Sequence, residues 1–383
     1  MNGGITMEQG NKNLPAWVRF AAKLIAKIHN PIIPENPKAG KWYRVPMDGY
    51  VASDGSPYLF NFRKGTENKL MIFLHGGGFS WNAHMAARPI SVDAEDIYDV
   101  YYFPKAADYG ATGSHGILSG KQENPFRDWN IISLPYCTGD FHCGTADFPY
   151  VSRDGKEKVL HHHGYTNLIA AIQKAIQWTG STPDQLVVTG NSAGGFGAAL
   201  MTDTVMGLFP ECKDVTCLVD SGLLYMEDWL GIVRDIWKSP KKIWKRLHGD
   251  CFTLDCLKAL KEDYGDRIRI LLTCSARDFN LTQVIGYNKT GRLYADQALG
   301  KEFQDQLKKA CSYLLDQIPG AAVYIFDTPV AEKEGSEMGL TRHCIIPDDV
   351  AFTIKTEGKT VMQWLMDCMG GDISSIGLDL LHP

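Results

Sequence analysis

The sequence lacks three patterns that would place it in broad classes of protein. It has no apolar run of the about 20 residues that a transmembrane helix needs, so no membrane span is predicted. It has no long basic run, and its formal net charge is −5, which argues against nucleic-acid binding. It has ten cysteines but no Cys-x-x-Cys pair, which argues against a zinc knuckle or a thioredoxin-type redox site.

The N-terminal segment also lacks the unbroken apolar run of a secretory signal. Residues 17–28 are apolar, but Arg19, Lys23 and Lys27 interrupt them at a spacing of four and line one face of a helix. We expect an amphipathic helix that packs on the main body, with a membrane-surface helix as the alternative. Without an export signal, we also expect a cytoplasmic location and reduced thiols, although the spacing of the cysteines does not settle their pairing.

The residues that are present predict a globular α/β protein. The chain is 44% hydrophobic and 22% charged, and no internal repeat is visible. We assign residues 1–38 to an N-terminal helix and a proline-rich linker, and residues 39–383 to a single domain. Two insertions, at about 81–128 and 226–264, are expected to cover the mouth of a site.

Predicted strands alternate with predicted helices, which favours a mostly parallel sheet. The predicted strands are an early hairpin (42–45 and 58–62) and the buried segments 70–74, 130–134, 186–188, 215–219, 268–273 and 322–326. The predicted helices are 161–177, 300–317 and 350–369, with further helical material in the second insertion.

The strongest motif is Gly190-Asn-Ser-Ala-Gly194, which has the form Gly-x-Ser-x-Gly. It follows the apolar strand 186–188 and precedes a helical stretch, which is the context of a nucleophile elbow. Small residues flank the serine because its backbone is strained and the helix passes close to the strand. We therefore predict that Ser192 is a nucleophile. The alternative is a glycine-rich turn whose serine only caps a helix.

A second glycine motif, His75-Gly-Gly-Gly78, follows the strand 70–74 directly. A glycine run at the end of a buried strand lets backbone N–H groups face a cavity. Such a loop can be an oxyanion loop or a phosphate cradle. Its pairing with the serine motif favours the oxyanion loop.

A serine hydroxyl needs a base to take its proton and a carboxylate to orient that base. Ser192, Asp278 and His343 occur in the chain order typical of this fold, each after a predicted strand. Asp220 is the rival acid, but Asp220-Ser-Gly222 can equally be a turn or a helix cap, so we favour Asp278. A purely structural role for His343 is the alternative to its role as base.

The run His161-His162-His163 suggests a metal site. Adjacent side chains on a helix diverge, so three neighbours are poor ligands for one ion. We predict no metal and no cofactor, and we place the run at a helix entry beside the mouth of the site.

In combination, these motifs resemble the pectin acetylesterase/Notum family of α/β-hydrolases. The matching segments occur in the family's order across roughly residues 40–370: Leu74–Phe79, Gly116–Ser119, Asn124–Phe126, Trp129-Asn130, Pro135–Cys137, Gly190–Gly195, Val219–Gly222 and His343-Cys344. The resemblance implies a mostly parallel central sheet flanked by helices, with helical and loop lid insertions. Family members are esterases that remove short acyl groups from polysaccharides or a fatty acyl group from a protein serine, and they are typically exported.

Position by position, the resemblance implies that Ser192 is the nucleophile, His343 the base and Asp278 the acid. It further implies an oxyanion hole formed by the N–H groups of Gly77, Gly78 and Ala193, and it matches Asp220 to a segment that does not supply the acid. The sequence departs from the family at two places. His75 stands where the family usually has a glutamate, and the nearest glutamine after the acid is Gln283, five residues on rather than three.

We therefore predict a serine carboxylesterase that hydrolyses a small-molecule or glycan O-acyl ester, acetyl or longer, through an acyl-enzyme. The alternatives are a long-chain O-deacylase, an acyltransferase or peptidase with the same triad, and a binding module without activity. A triad does not identify the acyl acceptor. Four aromatic residues can line the pocket or belong to the core: Trp81, Phe126, Trp229 and Trp237.

Overall fold

The computed structural model describes residues 29–91, 94, 96, 98–106 and 115–382. The expected N-terminal helix at 17–28 lies outside these residues, as does part of the first insertion. No helix of the described residues is long and apolar enough to cross a membrane.

An eight-stranded sheet forms the centre of the molecule. Its strands in chain order are β1 (Trp42–Val51), β2 (Pro57–Arg63), β3 (Lys69–Leu74), β4 (Asn130–Leu134), β7 (Gln185–Asn191), β8 (Val215–Asp220), β9 (Ile268–Ser275) and β10 (Ala322–Phe326), while β5 (Ala146–Val151) and β6 (Glu157–His162) form a separate hairpin. The order across the sheet is β1-β2-β4-β3-β7-β8-β9-β10. Strand β2 pairs antiparallel with β1 and β4, and all other neighbours are parallel. The predicted mostly parallel α/β sheet is confirmed.

Helices cover both faces of this sheet. They are α1 (Ala83–Ala86), α2 (Gly164–Thr179), α3 (Ala193–Leu208), α4 (Trp229–Gly231), α5 (Lys241–Trp244), α6 (Phe252–Tyr264), α7 (Phe279–Thr290), α8 (Gln297–Gln317), α9 (Lys333–Glu337) and α10 (Val361–Met369). Neighbouring side chains of one strand enter opposite cores. Val188 belongs to the core that includes side chains of α2, α3, α6 and α8, whereas Val187 belongs to the core that includes side chains of α10. Because both faces are buried, the parallel strands read as continuous apolar runs.

Two sequence predictions are wrong in their boundaries. The helix expected at 161–177 begins only at Gly164, because His161 and His162 complete strand β6 of a hairpin that the sequence did not reveal. The helix expected at 350–369 is interrupted by a short hairpin of β11 (Lys355–Thr356) and β12 (Lys359–Thr360). The turn of this hairpin needs positive φ at Glu357 and Gly358, which a helix does not allow.

All ten cysteines are free and buried. No pair of them is joined by a disulfide, although Cys212/Cys217 and Cys251/Cys256 are each close in sequence.

Candidate active site

Ser192 occupies a strained turn between β7 and α3. Its backbone has φ 56° and ψ −126°, a conformation that residues other than glycine rarely adopt. Its N–H donates to the carbonyl of Asp220 at 2.8 Å, and its carbonyl accepts from the N–H of Phe196 at 3.1 Å. Because both backbone groups are held by neighbouring elements, the turn is fixed despite its strain.

The glycines around Ser192 are required by close backbone approach. A Cβ on Gly194 would lie 1.9 Å from the carbonyl oxygen of Leu74, and one on Gly190 would lie 2.3 Å from the carbonyl oxygen of Gly194. Helix α3 therefore starts in direct contact with β3 and β7, which gives the Gly-x-Ser-x-Gly pattern a physical reason.

The glycine loop after β3 passes beside the serine. A Cβ on Gly76 would lie 2.6 Å from Cβ of Ser192. The N–H of Gly76 donates to Oδ1 of Asn191 at 3.3 Å. No described residue accepts a hydrogen bond from the backbone N–H groups of Gly77, Gly78 or Ala193.

Residues of the first insertion form backbone hydrogen bonds with the glycine loop after β3. The N–H of Phe103 donates to the carbonyl of Gly77 at 3.0 Å, and the N–H of Phe79 donates to the carbonyl of Tyr101 at 2.7 Å. Gly78 has φ 83°, and a Cβ there would lie 1.8 Å from the oxygen of Tyr101. Only glycine fits this position, so the conformation of the loop is built into its sequence.

His343 and Asp278 form a hydrogen-bonded pair in which Asp278 is buried and the side chain of His343 is 14% exposed. Nδ1 of His343 lies 2.8 Å from each carboxylate oxygen of Asp278. Asp278 also caps α7 by accepting the N–H of Leu281 at 3.0 Å. The two segments are joined by backbone hydrogen bonds, from Phe279 to Thr341 at 3.0 Å and from Thr341 to Arg277 at 2.9 Å. These hydrogen bonds fix the position of Asp278 independently of its contact with the imidazole.

The surroundings of His343 favour its imidazolium form. Burial of the ring opposes its protonation. The charge of Asp278, its hydrogen bond to the ring and the nearby Cys344 together outweigh this effect, so the pKa of His343 is raised well above its ordinary value. Nε2 is buried and has no hydrogen-bond partner among the described residues. Hence the structure joins His343 to Asp278 but shows no hydrogen bond between His343 and Ser192.

Asp220, the rival acid, contacts the backbone that follows His343 and makes no hydrogen bond to its ring. One carboxylate oxygen accepts the N–H groups of Ile345 and Ile346 at 2.9 and 3.0 Å. The other accepts the hydroxyl of Ser221 at 3.1 Å, and that hydroxyl accepts the N–H of Cys344 at 3.2 Å. Burial raises the pKa of Asp220 to about 6, although these donors oppose the rise.

Two buried histidines, His75 and His142, form hydrogen bonds at the start of the glycine loop. Nε2 of His75 lies 2.7 Å from Oγ of Ser133, and burial lowers the pKa of His75 to about 3. Nε2 of His142 lies 3.0 Å from the carbonyl oxygen of His75, and burial lowers the pKa of His142 to about 4. Both rings are therefore neutral near pH 7 and act here as hydrogen-bonding groups.

Sequence reasoning missed the part that Asn191 plays in the site. Its Oδ1 holds Gly76, and its Nδ2 lies 3.8 Å from Sγ of Cys344, the residue after His343. Asn191 thus links the glycine loop, the serine turn and the histidine loop. Its position beside Ser192 in the Gly-x-Ser-x-Gly motif was the available signal.

The triple histidine directly precedes α2, with His163 as its N-cap residue, but His161 and His162 lie in strand β6, so the helical reason for rejecting a metal there does not apply. His161 and His163 point to the same side, and their Nδ1 and Nε2 atoms lie 2.6 and 2.9 Å from Oδ1 of Asp147. His162 points to the other side, where its Nδ1 lies 2.7 Å from the carbonyl oxygen of Thr138. His161 lies in strand β6, where alternate side chains share a face, and His163 follows the end of the strand on the side of His161.

Three of the four candidate pocket aromatics belong to the core. Phe126, Trp229 and Trp237 are at most 1% exposed. Trp81 is half-buried and stacks on Phe79 at a ring distance of 4.3 Å. Phe103, which the sequence did not single out, is 43% exposed and lies against Gly77.

A mostly parallel sheet with a strained serine turn after β7 and a hydrogen-bonded histidine–aspartate pair after β9 and β10 defines an α/β-hydrolase. Comparison with known proteins narrows this class. The Pectinacetylesterase family model matches residues 44–232. Residues 44–232, just under half of the chain, are thus similar to the pectin acetylesterase family, and the resemblance predicted from the sequence is confirmed.

Similar proteins agree with this assignment. Pectin acetylesterase 11 of Arabidopsis thaliana is 30% identical over 179 residues, which cover 45% of this chain and 42% of the relative. Pectin acetylesterase 7 of the same plant is 28% identical over 182 residues, with the same coverage of 45% and 42%. The match therefore spans less than half the length of these relatives. The structure of the Wnt deacylase Notum from Drosophila has the same fold, with a TM-score of 0.58, 18% identity, and coverage of 87% of this chain and 95% of that one.

Proposed function

We propose that the protein is a serine carboxylesterase that hydrolyses O-acyl esters through an acyl-enzyme. The observation that carries the proposal is the hydrogen-bonded Asp278–His343 pair, in which Nε2 of His343 has no hydrogen-bond partner among the described residues. A serine in a strained turn and three N–H groups without an acceptor in the described part of the chain support it. The family assignment of residues 44–232 fits the same chemistry.

In the proposed reaction, Oγ of Ser192 attacks the ester carbonyl while Nε2 of His343 takes its proton. The carbonyl oxygen becomes an oxyanion that accepts hydrogen bonds from the N–H groups of Gly77, Gly78 and Ala193. The intermediate collapses, and His343 returns the proton to the departing alcohol. Water then repeats the sequence on the acyl-enzyme and releases the carboxylic acid. Asp278 orients the ring and stabilises its positive charge in both halves.

We infer that short acyl groups are the preferred substrates. Phe196 lies one helical turn after Ser192 and stacks on Phe141 at 4.6 Å. The rings of Trp229 and Phe252 pack against the ring of Phe196 at centroid distances of 6.0 and 5.5 Å. Close-packed rings behind the serine turn leave little space there for a long chain. The alcohol part is a small molecule or a glycan in this proposal.

The replacement Ser192→Ala tests the nucleophile. The variant should lose hydrolysis of p-nitrophenyl acetate to the buffer rate, because no hydroxyl remains to form the acyl-enzyme. Ser312→Ala, on the exposed side of α8, is the matched control and should keep full activity. Turnover by Ser192→Ala equal to that of the control would disprove the assignment.

A long-chain O-deacylase or acyltransferase is the second candidate. The 43% exposed ring of Phe103 beside Gly77 favours it, because an exposed apolar ring can contact a long acyl chain. A series of p-nitrophenyl acetate, butyrate and octanoate separates the two. Our proposal expects kcat/KM to fall with chain length, whereas a maximum at octanoate that is lost in Phe103→Ala would support the long-chain enzyme. Addition of an alcohol acceptor, with product analysis, distinguishes hydrolysis from acyl transfer.

We keep a cytoplasmic location as part of the proposal. The ten free, buried thiols support it, because reduced cysteines persist in a reducing compartment.

A further inference from the structure

We propose that Asp147, His161 and His163 form a binding site for Zn²⁺. This site shares no residue with Ser192, His343 or Asp278, and its occupancy does not depend on the esterase function proposed above. It lies where the hairpin β5–β6 meets the start of α2.

The three donor atoms already face one another. Asp147 on β5 pairs with His161 on β6, and His163 follows two residues later on the same side. One atom from each side chain lies within 4.8 Å of the other two. The ligands of a tetrahedral Zn²⁺ site are separated by about 3.4 Å, given metal–ligand distances of about 2.1 Å. Small rotations of the side chains therefore bring all three to coordination distance.

The donor set suits this ion. Two imidazole nitrogens and one carboxylate oxygen are typical ligands of Zn²⁺. The histidine side chains are 26% and 27% exposed and Asp147 is 62% exposed, so an ion can enter from solvent. Three protein ligands leave a coordination position for water.

The charge around Asp147 differs from that in two other histidine–aspartate clusters. Beside His84, the carboxylate of Asp99 lies 2.7 Å from the guanidinium of Arg88. Beside His115, the carboxylate of Asp349 lies 2.6 Å from the ammonium of Lys121. In both, a fixed cation already satisfies the carboxylate and would repel a metal ion.

No described lysine or arginine forms an ion pair with Asp147. Its only side-chain hydrogen-bond partners among the described residues are the two imidazoles, which are also metal ligands. A divalent cation would satisfy the carboxylate and both rings together. Once bound, it would link strand β5, strand β6 and the first residue before α2.

Titration of the chelator-treated protein with Zn²⁺ tests the site. We expect calorimetry to show one equivalent that binds to the wild type and raises its Tm, and Co²⁺ to give the visible absorption of a tetrahedral site. His163→Ala and Asp147→Asn should each weaken binding at least tenfold and abolish the rise in Tm. His163 makes no capping hydrogen bond to α2 through its side chain, and Asn keeps the size of Asp, so both variants should fold.

His115→Ala is the matched control and should bind Zn²⁺ as the wild type does, since it removes an exposed histidine from a cluster with a fixed cation. A wild type that binds no equivalent of Zn²⁺ would overturn the proposal. Unchanged binding in both His163→Ala and Asp147→Asn would overturn it as well, because the ion would then lie elsewhere.

Discussion

At the scale of the residue, two buried aspartates beside His343 have different contacts. Asp278 bonds the imidazole through both oxygens, whereas Asp220 accepts the N–H groups of Ile345 and Ile346, which follow His343, and the hydroxyl of Ser221. An acid that orients a base has to touch the ring. The contacts therefore support Asp278 as the orienting acid and Asp220 as a residue that positions the loop.

Replacing each aspartate by asparagine separates these roles. Asp278→Asn should lower kcat on the order of 10⁴-fold, because the ring is no longer held in the required tautomer and its charge is no longer stabilised. Asparagine is still a good helix cap, so α7 should remain intact. Asp220→Asn should stay within about tenfold of the wild type, since an amide oxygen can accept the same N–H groups. Steady-state rates at equal folded fraction decide the matter. The reverse order of effects would make Asp220 the acid.

The pH dependence of kcat/KM provides a second test of the pair. His343 must be neutral to accept the serine proton, so activity should fall as the pH drops through its pKa. Because Asp278 raises that pKa, Asp278→Asn should move the acidic limb of the profile to lower pH. An acidic limb that stays in place in this variant would contradict the coupling.

Asp220 should also change the stability of the fold with pH. Its pKa is raised from 3.8 to about 6, so the folded protein holds this proton more tightly than the unfolded chain does. The free energy of unfolding should therefore fall by roughly 3 kcal/mol as the pH rises through this window. Asp220→Asn should lack this component in denaturant titrations at pH 4 and pH 7, whereas Asp372→Asn, at an exposed position, should keep it. Equal pH dependence in all three proteins would refute the ionisation of a buried Asp220.

At the scale of the element, the junction of β3, β7 and α3 holds the serine turn. The sequence predicts this junction because its physics is local: an apolar strand, small residues at the turn and a helical continuation. The two loops that meet it are harder to predict. The hydrogen bonds of Asn191 to the glycine loop and of Asp220 to the histidine loop join residues more than 100 positions apart. No pattern within a single segment records such contacts.

Gly194→Ala should disrupt this junction. The new methyl group would lie 1.9 Å from the carbonyl oxygen of Leu74, so either α3 or β3 must move. We expect a loss of about 3 kcal/mol in the free energy of unfolding, together with most of the activity. Gly207→Ala in the same helix is the control. Its Cβ would meet nothing within 4 Å, and it should stabilise the protein by about 0.5–1 kcal/mol. Equal Tm values for the two variants would contradict the packing argument.

At the scale of the whole molecule, the fold was predictable from buried strands that alternate with helices. The hairpin β5–β6 was not, because Pro149 lies within β5 and both strands are too exposed to contain an apolar run. The cluster of Asp147, His161 and His163 was not predictable either, because the proximity of these residues depends on the pairing of β5 with β6. Residues two apart, such as His161 and His163, point in different directions on a helix but share a face on a strand.

The central claim is that Ser192 becomes covalently acylated while His343 and Asp278 activate it. Labelling by a fluorophosphonate, followed by peptide mass spectrometry, tests this most directly because the reagent marks the activated serine. We predict one phosphonyl group per chain, located on Ser192, with labelling slowed in Asp278→Asn and absent in Ser192→Ala. A label on another serine, or wild-type labelling of the Ser192→Ala variant, would contradict the account.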